Sequence, residues 1–409
     1  MKPTLFGYGM TTKAIAKKLG GECTFFDDNC IETYIDEHNN TIKPSHLFNP
    51  DESSLEVTTP SLPPKHPLIQ KAKHLLSEYD YFLGGVLSGD NTPQKNPFTV
   101  WISGTNGKTT ATQMLTHLLQ KRGAVSGGNI GTPLANLDKK APIWVLESSS
   151  FTLHHTHIAS PDIYLLLPVT PDHLDWHNTF EAYMTDKLSP LLRMREGELA
   201  LIPKGLDIPK TNAWVVEYDS NTFLCDYFYL DASKLHYKGA FLQDALLSLA
   251  VTKVLFDESD YTLLNRFKRD AHRQEEIYDS KDRLWVNDSK ATNIDATVQA
   301  IKTYAQKEIY LILGGDDKGV DLNPLFKEMR GCMLTLYTIG ENSRRLLALA
   351  KAYHIKAVAS YTLENAIKYI DTLHNRESVA LLSPAAASFD QFNSYKHRGE
   401  TFVKLVRKL

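Results

Sequence analysis

Apolar residues along the chain fall into short uninterrupted runs, each followed by a stretch in which they recur every three or four positions. That alternation predicts buried strands joined by amphipathic helices, the pattern of a parallel α/β sheet. Phe98-Thr99-Val100-Trp101-Ile102-Ser103 predicts one such strand, and Ala111 to Arg122, with Met114, Leu115, Leu118 and Leu119 on one face, predicts the helix after it. Ile143 to Leu146 and Ile163 to Leu167 continue the series. The pattern restarts at Leu284-Trp285-Val286, with strands at Ile309 to Leu313, Leu334 to Ile339 and Val379 to Leu382 and helices at Ser343 to Ala352 and Leu363 to Leu373. At the other end, Thr4-Leu5-Phe6 leads through Gly7-Tyr8-Gly9 into a helix containing Ile15, Ala16 and Leu19, then a strand at Cys23 to Phe26 that ends at Asp27-Asp28. This is a Rossmann-like opening, although a G-x-G turn without a third glycine serves structure as readily as nucleotide binding.

Proline and glycine mark the joints. Pro60 to Pro67 is a proline-rich connection, and Gly89-Asp90-Asn91-Thr92-Pro93 with Asn96-Pro97 makes a second break. Three α/β domains are expected: a Rossmann-like N-terminal domain over 1–90, a central mononucleotide-binding domain with a mainly parallel sheet over 91–269, and a Rossmann-like C-terminal domain over 270–409. The length of 409 residues and the 42% hydrophobic, 23% charged composition suit several well-packed domains. A net charge of −3 provides no basic field for nucleic acid. Met1-Lys2-Pro3 runs into a strand without an apolar signal core, and no run approaches the roughly 20 apolar residues of a membrane span, so a cytoplasmic protein is expected. The four cysteines lack metal-site spacing and read as reduced thiols.

Gly104-Thr105-Asn106-Gly107-Lys108-Thr109-Thr110 lies between a predicted strand and a predicted helix, the context that separates a phosphate-binding loop from a chance match. Its glycines let backbone N–H groups turn onto phosphate oxygens, the helix N-terminus adds positive potential, Lys108 can reach the terminal phosphates and Thr109 can ligate magnesium. Glu147, closing an apolar run, stands where a second magnesium carboxylate belongs. Asp172-His173-Leu174-Asp175 concentrates acids and imidazole beyond another strand; a histidine there can hold a metal or an anion, or simply face solvent. In the last domain, Asn287 to Asn293, Gly314 to Gly319 and Leu382 to Asp390 each follow a strand. They should line one crevice, with Lys290 and Lys318 as cations and Thr292 and Ser388 as hydroxyls, suited to an amino-acid carboxylate.

The loop form G-T-[ND]-G-K-[ST]-[ST] at Gly104 to Thr110 resembles that of the Mur ligases and folylpolyglutamate synthetases. His272-Arg273-Gln274-Glu275 resembles the family's H-R-x-E hinge and Asp172 to Asp175 its D-H-x-D loop. The segments at Asn287 and Leu381 to Phe402 look like the branch acting on UDP-N-acetylmuramoyl-L-alanine and D-glutamate. The resemblance implies an ATP-dependent amide ligase that works through an acyl phosphate in cytoplasmic peptidoglycan precursor synthesis, as a monomer. It implies two magnesium sites, from Thr109 and Glu147 and from His173 and a carbamylated Lys187, the last role coming wholly from the family. By the same resemblance, Asp244, Arg273 and Asp288 hold the adenosine side of ATP. Gly9, Met10, Thr11, Asp27 and Asn129 bind the nucleotide-sugar substrate, and Lys290, Thr292, Lys318, Ser388 and Tyr395 bind D-glutamate. The chain departs from the family at Phe241, at Asp28-Asn29, at Thr59-Pro60-Ser61 and at Thr152. Two other readings compete: a P-loop switch or motor that hydrolyses ATP without making a bond, and a folylpolyglutamate-type ligase, which would need a pteridine pocket.

Overall fold

The computed structural model describes residues 2–85 and 96–409. The break read at Gly89 to Pro93, and with it the expected boundary at residue 90, lies outside the described residues. Among the described residues the strands form three six-stranded sheets. The chain packs as two compact units, Met1–His236 with Gln243–Arg266, and Tyr237–Leu242 with Phe267–Leu409; the first holds two sheets and the second holds one.

The first sheet contains β1 (Thr4–Phe6), β2 (Thr24–Asp27), β3 (Tyr34–Ile35), β4 (Thr41–Pro44), β5 (Glu56–Thr58) and β6 (Leu75–Leu76), in the order β3-β4-β2-β1-β5-β6. Side chains alternate across a pleated strand, so Leu5, Phe25 and Val57 enter one core while Phe6 and Phe26 pack with Phe48 on the other face. Because β1 pairs in parallel with both β2 and β5, the turns at Gly7, Asp27 and Thr59 emerge at one edge.

The second sheet is entirely parallel, in the order β12-β11-β10-β7-β9-β8. Its strands are β7 (Phe98–Ser103), β8 (Ala124–Gly128), β9 (Ile143–Glu147), β10 (Ile163–Leu166), β11 (Leu199–Pro203) and β12 (Trp214–Tyr218). Both faces are covered, which is why Val100, Trp101 and Ile102 are all fully buried and read as a continuous apolar run. Strand β7 lies between β10 and β9, so the loops after Ser103, Glu147 and Leu166 leave neighbouring strands at the carboxyl edge, where open α/β sheets bind ligands.

The helix Gly239–Phe256 is long and apolar enough by composition to cross a membrane, closer to a span than the sequence reading allowed. Half of it is buried in the protein, including the run Asp244 to Thr252, which accounts for its apolar character as a core helix.

The third sheet has the order β13-β14-β18-β15-β16-β17, with β13 (Glu275–Tyr278) antiparallel to β14 (Leu284–Asn287) and the other pairings parallel. The remaining strands are β15 (Glu308–Leu313), β16 (Leu334–Ile339), β17 (Ala357–Tyr361) and β18 (Ser378–Leu382). Centrally placed β14, β18 and β15 end at Asn287, Leu382 and Leu313, immediately before the three polar loops singled out above.

Candidate active site

The loop after β7 owes its shape to glycine. Gly104 and Gly107 take φ of +140° and +82°, and a Cβ on Gly107 would stand 2.8 Å from Asp244 Oδ1. Only glycine tolerates both conditions without strain. Lys108 opens the helix Lys108–Leu119 and turns back to donate from Nζ to the carbonyls of Gly104 (3.0 Å) and Thr105 (2.8 Å). Thr105 Oγ1 binds both the N–H and the carbonyl of Thr170, each at 2.9 Å, tying the loop to the segment after β10. Thr110 is buried, while Asn106 and Thr109 are half-buried at the loop's surface.

At the end of β9, Glu147 is 2% exposed. Its Oε1 accepts from Asn129 Nδ2 at 2.7 Å, whereas Oε2 is buried without a hydrogen-bond partner. A buried carboxylate oxygen left this way is costly unless something positive meets it, and a cation at Thr109 and Glu147 would satisfy it. Among the described residues no cluster of three or more His, Cys, Asp and Glu could hold a metal ion, so a cation here would complete its coordination with oxygens from outside the protein, from water or a bound phosphate.

Lys187, in the helix Phe180–Leu188, is not the solvated lysine that its surroundings in sequence suggest. It is 1% exposed, and its Nζ donates to Gly104 O at 2.7 Å and Ser103 Oγ at 3.3 Å, directly beneath the phosphate loop. Burial, joined by the charge of Lys108, holds its pKa well below the ordinary lysine value, against the weaker pull of Asp172 and Asp186. His173 begins the helix Leu174–His177 in a left-handed conformation (φ +54°), half-exposed, with its ring 4.8 Å from that of Phe151. Partial burial, with Lys108 and Lys187 nearby, keeps its pKa below that of free imidazole, although Asp172 and Asp175 oppose them.

At the carboxyl edge of the first sheet, a cleft of about 270 Å³ is lined by Gly7, Gly9, Asp27, Asp28, Thr59 and Ser61 among others. Asp27 accepts from the backbone of Tyr8 (2.6 Å) and Asn29 (2.8 Å), which fixes the turn, while Met10 and Thr11 start the helix Met10–Lys18 beside it. Asp28, a point of departure from the family pattern, pairs with His66 at 2.8 Å. Thr152, another, is held by Ser149 in a helix cap.

In the second unit the three polar loops are bonded to one another. Ala385 N–H donates to Ala291 O, Gly314 N–H to Pro384 O, and Asp316 and Ala387 exchange two bonds. Arg398, 1% exposed, donates to Ser289 Oγ and O, Ala386 O and Ala387 O, locking two of these loops together. Sequence reading gave Arg398 no role; only a buried guanidinium facing carbonyls reveals one. Around this frame Ser388 is buried, Thr292 and Lys318 are exposed, and Lys290 Nζ lies 4.1 Å from the centre of the Tyr395 ring. Asp288 is buried, accepting from Ser383 Oγ (2.9 Å) and Gln274 N–H (3.2 Å), with the half-buried Arg273 among the charges that act on it. Burial raises its pKa to about 7 against those hydrogen bonds and the charges of Arg273 and Arg269.

The parallel sheet carries a short glycine loop at its carboxyl edge, and residues 102–224, which include that loop, match the Mur ligase middle domain, placing the protein in the Mur ligase class. The fold is shared with Mur ligases from Thermotoga maritima. UDP-N-acetylmuramate-alanine ligase MurC matches with a TM-score of 0.57 at 16% identity, over 99% of this chain and 98% of that one. MurF in complex with ADP matches with a TM-score of 0.58 at 17% identity, over 94% of both chains. At the level of sequence, the UDP-N-acetylmuramoylalanine--D-glutamate ligase of Campylobacter jejuni strain 81-176 is 48% identical over the whole of both chains. The Helicobacter pylori strain 26695 enzyme of the same name is 44% identical, also over the whole of both. The chain belongs to the UDP-N-acetylmuramoylalanine--D-glutamate ligase family.

Proposed function

We propose that this protein joins D-glutamate to UDP-N-acetylmuramoyl-L-alanine at the expense of ATP, in the cytoplasm, as a step of peptidoglycan precursor synthesis. The observation that carries this reading is the full-length identity to enzymes named for that reaction. The terminal carboxylate of the nucleotide sugar attacks the γ-phosphorus of ATP, forming an acyl phosphate as ADP leaves. The neutral amine of D-glutamate then attacks the acyl carbon, the nitrogen loses a proton, and the tetrahedral intermediate expels phosphate to leave the amide. Lys108 releases its loop carbonyls and follows the charge of the transferred phosphoryl group.

Thr109 and Glu147 would hold one magnesium ion, and His173 with Lys187 a second; bound there, the ions would offset phosphate charge and polarise the phosphoryl oxygens. Glu147 suits this role through its unpartnered Oε2. Lys187 suits carbamylation because burial lowers its pKa and so favours the neutral amine that the reaction needs. That amine adds to carbon dioxide, forming an N–C bond and releasing one proton. Gly9, Met10, Thr11 and Asp27 receive the UDP end and Asn129 the muramoyl-alanine end. Asp244, Arg273 and Asp288 hold adenosine, and Lys290, Thr292, Lys318, Ser388 and Tyr395 take D-glutamate. The work divides over domains 1–90, 91–269 and 270–409 of a monomer.

The test is a phosphate-release and product assay with ATP, magnesium and UDP-N-acetylmuramoyl-L-alanine against a panel of amino acids. Turnover should require D-glutamate. Phosphate release that ignores D-glutamate rejects the assignment and favours a switch or motor.

A further inference from the structure

Beside the candidate metal ligands lies a polar circuit to which the reading above gives no task. Asp186, 15% exposed at its side chain, takes His154 Nδ1 at 2.9 Å on Oδ1 and His177 Nδ1 at 2.9 Å on Oδ2. A carboxylate only accepts, so both ring nitrogens donate; with its proton on Nδ1, His177 accepts at Nε2 from the hydroxyl of Ser150, 2.9 Å away. Ser150 and His154 belong to one helix, Ser150–His154, so the circuit closes on itself. Ser150 and His177 are 3% and 4% exposed, and Phe151, Trp176 and Tyr183 pack their rings around the imidazole of His177. The arrangement resembles a nucleophile with its base, but burial denies Ser150 any substrate.

Its value lies in what it joins. The helix Ser150–His154 starts three residues after Glu147, Leu174–His177 starts directly after His173, and Asp186 immediately precedes Lys187. One carboxylate and one imidazole therefore tie together the three segments that present Glu147, His173 and Lys187. We infer that Ser150, His177, Asp186 and His154 are positioning residues that set the spacing of these ligands and so the affinity for the divalent cation. The inference rests on the metal assignment above. Buried, fully bonded polar circuits fix one arrangement of their elements, and supporting partners of metal ligands commonly change affinity by about 10–100-fold.

The test is a titration of the full-length protein with Mn2+, followed by electron paramagnetic resonance, in the presence of a non-hydrolysable ATP analogue. Asp186→Asn keeps the shape but cannot accept from both histidines. It should weaken Mn2+ binding about tenfold while analogue affinity and the far-ultraviolet spectrum stay as in the wild type. Unchanged Mn2+ affinity in the folded variant overturns the inference. Should Asp186→Asn not fold, Ser150→Ala, which removes only the last hydroxyl, is titrated instead. A loss of about threefold is then expected, and no loss overturns the proposal. Lys187→Ala separates the two levels. If it binds Mn2+ as the wild type does, the assignment of the second metal to His173 and Lys187 fails; if it weakens binding while Asp186→Asn does not, only the positioning role fails.

Discussion

Replacing Arg398 by Met tests whether the amino-acid end of the site depends on a buried charge that meets no substrate in the proposed scheme. The guanidinium makes four hydrogen bonds of 3.0–3.2 Å to oxygens of Ser289, Ala386 and Ala387. Bonds from a charged donor contribute about 1.5–3 kcal/mol each, so their loss costs at least about 6 kcal/mol. Against this, Arg398 has no salt-bridge carboxylate among the described residues, and burial pulls its pKa from 12.5 to about 10 despite the pull of Asp390. That desolvation weighs roughly 3 kcal/mol against the charged form, and a neutral side chain of similar length recovers it. The hydrogen bonds win, and a net destabilisation of about 3 kcal/mol is expected. Differential scanning calorimetry of the full chain should show an earlier transition for the second unit. In steady-state kinetics KM for D-glutamate should rise at least about tenfold, because the loops carrying Thr292 and Ser388 lose their common anchor. KM for the nucleotide sugar should hold. Wild-type stability together with an unchanged KM for D-glutamate would refute the idea that this guanidinium organises the pocket.

Lys187→Ala should abolish ligation, with partial recovery by added short carboxylates; full activity without them refutes the carbamate role. Gly107→Ala places a methyl group 2.8 Å from Asp244 Oδ1 at φ +82°. ATP affinity measured by calorimetric titration should fall at least about tenfold, and unaltered affinity would show that the loop can shift to make room. Asp288 supplies a pH signature. Its folded pKa of about 7 lies above the ordinary 3.8, so the native state keeps a proton that the unfolded chain releases. This contribution to stability is complete below about pH 4 and lost as pH rises to about 7, a change of roughly 4 kcal/mol that Asp288→Asn should remove from urea denaturation curves at the two ends of that range.

Where the chain is buried on both sides, its sequence is mostly plain, although the buried apolar run Leu199 to Ile202 of β11 went unread. Val100-Trp101-Ile102 and Ile309 to Leu313 can be nothing but interior strands, and they lie at or beside the sheet centres. Strands β3, β4, β5, β6, β8, β11, β12, β13 and β17 escaped the reading; β4, β5 and β12 did so because their residues do not form apolar runs. Thr41-Ile42-Lys43-Pro44 alternates, Glu56 is a charged residue that is nonetheless fully buried, and Trp214 on an edge strand is 54% exposed. For such short strands, pairing with a neighbour decides the conformation, and a single sequence does not display its partner.

The site divides along the same line. Gly104 to Thr110 is legible because its chemistry is local: seven successive residues make the turn, the donors and the helix start. Lys187 is illegible because what distinguishes it is distance through space. Nothing in Thr185-Asp186-Lys187 says that the amine will lie 2.7 Å from a carbonyl 83 residues earlier, where burial lowers its pKa. The same holds for Arg398, whose four partners lie 11 to 109 residues away, and for the circuit through Asp186. The proposed phosphate loop is written in consecutive residues. The groups that tune and position it are assembled by the sheet order, which brings the ends of β7, β9 and β10 together although the starts of β9 and β10 lie 45 and 65 residues after that of β7.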